Sequence, residues 1–164
     1  MKSVRTASYG ENALILGRFE VGGQVYALDV SQLREVVRWQ PVTPLPDGPT
    51  LVEGVIDLRG DVVPVVDLGR ALGGSPVEPA LRARIAITEV DGLVVGLAVD
   101  AAIGVFPVDA ESLEQPPELM RSAGCDMARA VLRRPGQPPI LVLCLERLIE
   151  SVRGSAAGVL EASA

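Results

Sequence analysis

Apolar and polar residues alternate over short stretches of this chain, and glycine or proline separates one stretch from the next. Ala13 to Val21 is strand-like, Gly22-Gly23 has the composition of a two-residue hairpin turn, and Gln24 to Val30 returns with period-two alternation. Ser31-Gln32-Leu33 fits one helical turn capped by Ser31, after which Glu35 to Trp39 resumes a strand that stops before Pro41. Four prolines between Pro41 and Pro49 predict a rigid loop. Leu51 to Leu58 and Val62 to Asp67 flank the turn Arg59-Gly60-Asp61 and form a second hairpin. Pro64 removes a ladder donor, which argues for an edge or bulge position. Leu68 to Leu72 predicts a short helix closed by Gly73-Gly74.

Beyond the loop Ser75 to Pro79 the pattern repeats. Setting Gly23 on Gly92, an offset of 69 residues, places Leu28 on Leu97, Val30 on Val99 and Val36 on Val105. Further on, Val62 to Leu68 resembles Pro139 to Leu145 at an offset of 77, and Leu145 to Ile149 matches Leu68 to Leu72 as a closing helix. Two copies of a unit with turns every ~8 to 12 residues predict two small barrels, the first over about 13–74 and the second over about 80–150. Neither half buries much alone, so the surface between them is expected to be apolar and the chain to unfold as one unit. Residues 1–12 and the Ala-, Gly- and Ser-rich stretch 154–164 read as disordered tails.

Composition narrows the chemistry. Hydrophobic residues make up 48% of the 164 positions but aromatic ones only 3%, so the core is built from Val, Leu, Ile and Ala. A net charge of −6 argues against nucleic acid and anionic membrane surfaces, both of which want clustered Lys and Arg. The most apolar stretch, Leu93 to Val108, is interrupted by Gly96, Asp100, Gly104 and Pro107. It falls short of the ~20 apolar residues of a membrane helix and reads as two buried strands. Near the N-terminus Ala13 to Gly17 is too short for the core of an export signal, so a cytoplasmic location is expected. Cys125 and Cys144 are too far apart for a CxxC or zinc site and read as buried thiols in a reducing compartment.

The chain has no histidine, which removes the usual general base, zinc ligand and activator of Ser or Cys nucleophiles. Lys2 is its one lysine and lies near the terminus. Carboxylate pairs could hydrolyse sugars, but the aromatic platforms of a sugar site are missing. A binding protein without catalytic activity is the reading these absences favour.

The runs Phe19 to Val30, Leu33-Arg34-Glu35-Val36, Pro44-Leu45-Pro46, Gly54-Val55-Ile56-Asp57-Leu58-Arg59-Gly60 and Pro64-Val65-Val66-Asp67-Leu68 resemble the CheW family in order and spacing. The resemblance covers 13–152, and the Gly-x-x-x-Leu-Arg-Gly element with the following Pro-Val-x-Asp-Leu is its specific part. It implies an all-β fold of two five-stranded SH3-like barrels with short helices at strand connections and near the C-terminus, without cofactor or metal. It also implies an adaptor that joins the cytoplasmic tip of a chemoreceptor to the regulatory domain of its histidine kinase. Receptor-binding residues carried over from the family are Leu33, Glu35, Gly54 and Arg59. A receptor tip is a helical hairpin, which suits an apolar floor at Leu33, close approach at Gly54 and a charged rim at Arg59 held by Glu35. The family's kinase contacts point to the second barrel. Cys144 stands where the first repeat has Asp67, and Cys125 to Ala130 departs from the family's glycine-containing stretch. These departures leave open a divergent scaffold or regulator in a pilus, gliding or other sensory pathway. A separate alternative is an unrelated tandem SH3-like barrel that binds nucleic acid or peptide through a basic or aromatic face, and the acidic charge and sparse aromatics weigh against nucleic acid.

Overall fold

A computed structural model describes residues 13–48, 51–119 and 127–162. The strands are β1 (Ala13–Val21), β2 (Gln24–Asp29), β3 (Leu33–Arg38), β4 (Val52–Leu58), β5 (Asp61–Asp67), β6 (Arg84–Val90), β7 (Leu93–Val99), β8 (Ala101–Asp109), β9 (Leu113–Glu114), β10 (Ala128–Leu132) and β11 (Ile140–Leu143). The α-helices are α1 (Leu68–Ala71) and α2 (Leu145–Ala162). Three hairpins turn on two residues at positive φ: Gly22-Gly23, Arg59-Gly60 and Asp91-Gly92. That geometry matches the right-handed twist of the flanking strands. Asp67 caps α1 by accepting from Arg70 N at 3.1 Å.

The five-stranded sheet, barrel I, runs β3-β6-β7-β5-β4, and the six-stranded sheet, barrel II, runs β8-β1-β2-β11-β10-β9. The sixth strand of barrel II is the two-residue β9. The barrels are therefore not the sequential halves 13–74 and 80–150 that the repeat predicts. Each takes the first hairpin of one repeat and the last three major strands of the other. The chain crosses from barrel II to barrel I through the 3-10 turn Val30–Gln32, and returns at Asp100. The repeat fixes which strands are alike, whereas these short crossings decide which strands pair.

The repeat itself survives in hydrogen-bond register. In barrel I, β3 meets β6 at Leu33↔Thr88 and Glu35↔Ile87 across a bulge. In barrel II, β8 meets β1 at Ala102↔Phe19 and Gly104↔Arg18 across a matching bulge. The hairpins β4–β5 and β10–β11 agree likewise, with Gly54↔Val65 corresponding to Ala130↔Val142, each beside a bulge. The parallel pair Val65↔Gly96 has its counterpart in Val142↔Ala27. Pro64 sits one residue outside the pairing of β5 with β7, so β5 is internal to the sheet while its proline is not required to donate.

Alternate residues of each strand serve different cores. Ile56, Val63, Val65, Ile85, Ile87 and Ala98 fill barrel I. Leu16, Ala27, Leu132, Ile140 and Val142 fill barrel II. Between them lies the largest cluster, where Phe19, Leu28, Leu33, Val66, Leu97 and Val99 pack on Leu145, Leu148 and Ile149 of α2. The apolar surface expected between the barrels is present, and every strand bordering it is shared in this way. Helix α2 continues through Ala162, so the stretch from 154 read as a disordered tail is helical that far. Residues 1–12 and Cys125 lie outside the described residues.

Candidate functional site

Of the four expected binding residues, the structure brings Glu35 and Arg59 together at one rim of barrel I. Strands β3 and β4 stand at opposite ends of the sheet order, and the chain after β3 closes the ring. Thr43 N donates to Val55 O at 2.8 Å and Val55 N to Thr43 O at 2.9 Å. Across the same seam Arg59, in the β4–β5 turn, grips Glu35 of β3 in a bidentate pair. Its Nη1 donates to Glu35 Oε1 at 3.0 Å and its Nη2 to Oε2. The guanidinium beside Glu35 holds that carboxyl below the ordinary carboxylate range of 4.5. Arg59 is 68% exposed despite this grip, so its fork remains open to a second partner.

Arg59 also has φ 51°, a left-handed conformation that the other hairpins give to Gly22 and Asp91. Asp57 Oδ1 accepts from Gly60 N at 2.8 Å and steadies the turn. A long side chain at such a position is the type of local outlier that points to use of that side chain.

Gly54 has a different reason from the one expected. A Cβ there would overlap the carbonyl oxygen of Thr43 and come within 2.8 Å of Val42 Cγ1. The backbone that comes close is the chain's own closing segment, not a partner. Leu33 likewise is 8% exposed and belongs to the core between the barrels. It is not an open floor.

The apolar surface next to it comes from β8, which the sequence reads as buried. Ile103 and Val105 are 44% and 42% exposed. Val105 pairs with Gly17 of β1, and a Cβ on Gly17 would lie 3.6 Å from Leu33 Cδ2. Side chains paired across neighbouring strands share a face. Leu33 thus backs the surface that Val105 presents. The missing side chain at Gly17 was the available signal, but a lone glycine in a strand does not announce what fills the space it leaves.

A second polar cluster ties the crossing Val30–Gln32 to α2. Gln32 Nε2 donates to Glu146 Oε1 at 2.7 Å, and Cys144 Sγ to Glu146 Oε2 at 3.4 Å. Arg129 Nη1 reaches Asp29 Oδ2 at 3.3 Å. Glu146 is held below the ordinary range first by its own backbone N–H at the helix start, then by these donors. Cys144 is half-buried rather than fully buried. Among the described residues no His, Cys, Asp and Glu gather in a group that could hold a metal ion. No helix among them is long and apolar enough to cross a membrane.

The sequence model of the family described as "CheW-like domain" matches residues 16–153. The chain is 36% identical over 130 residues to the chemotaxis protein CheW of Rhizobium meliloti, covering 79% of this chain and 81% of that one. It is 35% identical over 130 residues to the probable chemotaxis protein CheW of Rhizobium etli, covering 79% and 83%. The crystal structure of the scaffolding protein TtCheW from Thermoanaerobacter tengcongensis superposes with a TM-score of 0.75 at 30% identity, covering 84% of this chain and 92% of that one.

Proposed function

The chain belongs to the CheW-like family, and from that membership we propose a non-catalytic, cytoplasmic scaffold that joins the tip of a chemoreceptor to the regulatory domain of its histidine kinase. Recognition by such a scaffold needs shape and charge on a fixed frame, and the closed barrels supply the frame. The observation that carries the reading is the exposed Arg59 fork held by Glu35 on the rim of barrel I. A helical hairpin seated there lays its apolar stripe on Ile103 and Val105, with Leu33 behind them. It meets Arg59 with a carboxylate or a backbone carbonyl. Gly54 contributes by letting the segment through Thr43 close the ring, which fixes where Arg59 stands.

Co-sedimentation of the protein with a receptor-tip fragment tests this. Arg59→Ala and Val105→Asp are expected to release the receptor while keeping the kinase regulatory domain and the wild-type circular dichroism spectrum. Retention of the receptor by both folded variants would remove this rim from the receptor contact.

A further inference from the structure

The matched ladders allow the rims of the two barrels to be compared position by position. In barrel I, Glu35 pairs with the buried Ile87, and Leu58 closes the same core from the end of β4. At the corresponding places barrel II has Gly104 paired with Arg18, and Arg134 two residues beyond Leu132. Two inward positions that are apolar in barrel I are arginines in barrel II. The acid that would answer them, at the counterpart of Glu35, is a glycine.

Both arginines show the consequence. The Arg18 guanidinium carbon lies 4.2 Å from the centroid of the Phe106 ring, stacked on an edge of the barrel core. Its Nε is buried without a hydrogen-bond partner, and so is the Nε of Arg134. Arg34, Arg59, Arg82, Arg129 and Arg133 each form an ion pair with a carboxylate, and none of these pairs involves Arg18 or Arg134. A Cβ on Gly104 would meet nothing within 4 Å, so the space in front of Arg18 is open. Arg134 lines an open cleft of about 680 Å³ with Glu111, Ser112, Gln137 and Pro139. Glu114 at this cleft is already taken by Arg133, at 3.1 Å. A buried Nε donor without an acceptor is unfavourable, and an incoming carboxylate supplies a counter-charge and an acceptor to each of these half-buried arginines.

We propose that the rim of barrel II is a docking site for an acidic side chain of a protein partner, read by Arg18 and Arg134. In the coupling function proposed above, on which this inference rests, that partner is the kinase regulatory domain, because the rim of barrel I is given to the receptor. The charge contrast separates the two surfaces. A neutralised Glu35–Arg59 pair marks one, and two unanswered cations mark the other. Complementary charge of this kind fixes which partner goes where.

Titration calorimetry of the full chain with the kinase regulatory domain and, separately, with a receptor-tip fragment tests the assignment at low and high salt. The double variant Arg18→Met, Arg134→Met keeps the aliphatic stems and is expected to unfold no earlier than wild type. It should bind the kinase domain about tenfold or more weakly at low salt, with a flatter salt dependence and unchanged receptor affinity. Arg18→Lys should retain part of the kinase affinity. Wild-type kinase affinity in the double variant overturns the proposal, as does a loss confined to the receptor. Should the wild type bind neither partner, the coupling function itself fails and this docking site with it.

Discussion

Glu35 and Gly104 stand at the same point of two matching ladders, yet one rim is closed by an ion pair and the other is left with two unpaired arginines. The bulges and the parallel pairings of the two barrels correspond closely. The side chains at the rims do not. The repeat keeps what the backbone needs, and the differences gather where a side chain can leave the barrel without disturbing a ladder. A charged rim residue is cheap for the fold and decisive for partner choice, so the comparison of rims separates function from architecture.

The comparison breaks most visibly if the arginine pattern is moved across. Ile87→Arg gives barrel I the residue that barrel II has at Arg18, but in a ring already closed by Glu35 and Arg59. Lost burial removes about 2–3 kcal/mol, and an unpaired charge in that core adds several more. Against the ~5–15 kcal/mol of a typical domain this is expected to unfold most of the chain at 25 °C, seen as loss of far-UV dichroism. The converse, Arg18→Ile, is expected to leave the unfolding midpoint unchanged or raise it by up to ~1 kcal/mol of stability. A midpoint that falls in Arg18→Ile as steeply as in Ile87→Arg contradicts the difference between the rims.

Next in size is the bulge. Gly54→Ala places a methyl against the Thr43 carbonyl, backbone that cannot swing aside, and is expected to destabilise by about 2–4 kcal/mol in denaturant titration. At the matching bulge Ala130 already carries a side chain, and Ala130→Gly should cost only about 0.5–1 kcal/mol. Equal losses at the two sites would show that the closing segment through Thr43 does not decide the matter.

The smallest effects are electrostatic. Burial, and then the nearby Asp67, push the Glu53 carboxyl up from 4.5, and its Oε2 has no partner. Raised in the folded state, it holds its proton while the unfolded chain releases it, so stability falls as pH rises from 4.5 through the raised value. Glu53→Gln is expected to raise the thermal midpoint at neutral pH and to remove that part of the pH dependence. Glu35 has the opposite sign. Its depressed value makes its contribution present above 4.5 and lost as pH falls below it, and Glu35→Gln should abolish that loss. Midpoints that track wild type across the acid range in both variants would remove these roles.

Much of this was legible in the sequence because hairpin turns and strand alternation are local. The turns at Gly22-Gly23 and Arg59-Gly60 follow from a few residues each, and the repeat follows from their spacing, whereas the cap expected at Ser31 belongs to Asp29. The exchange of hairpins between barrels was not legible, since pairing partners depend on whether Val30–Gln32 and Asp100 carry the chain across or back. Glu35 and Arg59 were readable as a pair from the family motif. Leu33 and Gly54 were named with the wrong reason, because burial against β1 and the approach of Thr43 are long-range facts. Arg18, Arg134 and the exposure of Ile103 and Val105 became visible only when the ladders could be laid on each other. In the sequence Arg18 is one more charge in an alternating strand.

The central claim is that the two rims serve two partners, and a ternary co-sedimentation with receptor tip and kinase regulatory domain tests it most directly. Wild type is expected to bring both down together. Arg59→Glu should lose the receptor and keep the kinase domain, and Arg18→Glu should lose the kinase domain and keep the receptor. If both folded variants lose the same partner, or neither variant loses any, the assignment of one rim to each partner is wrong.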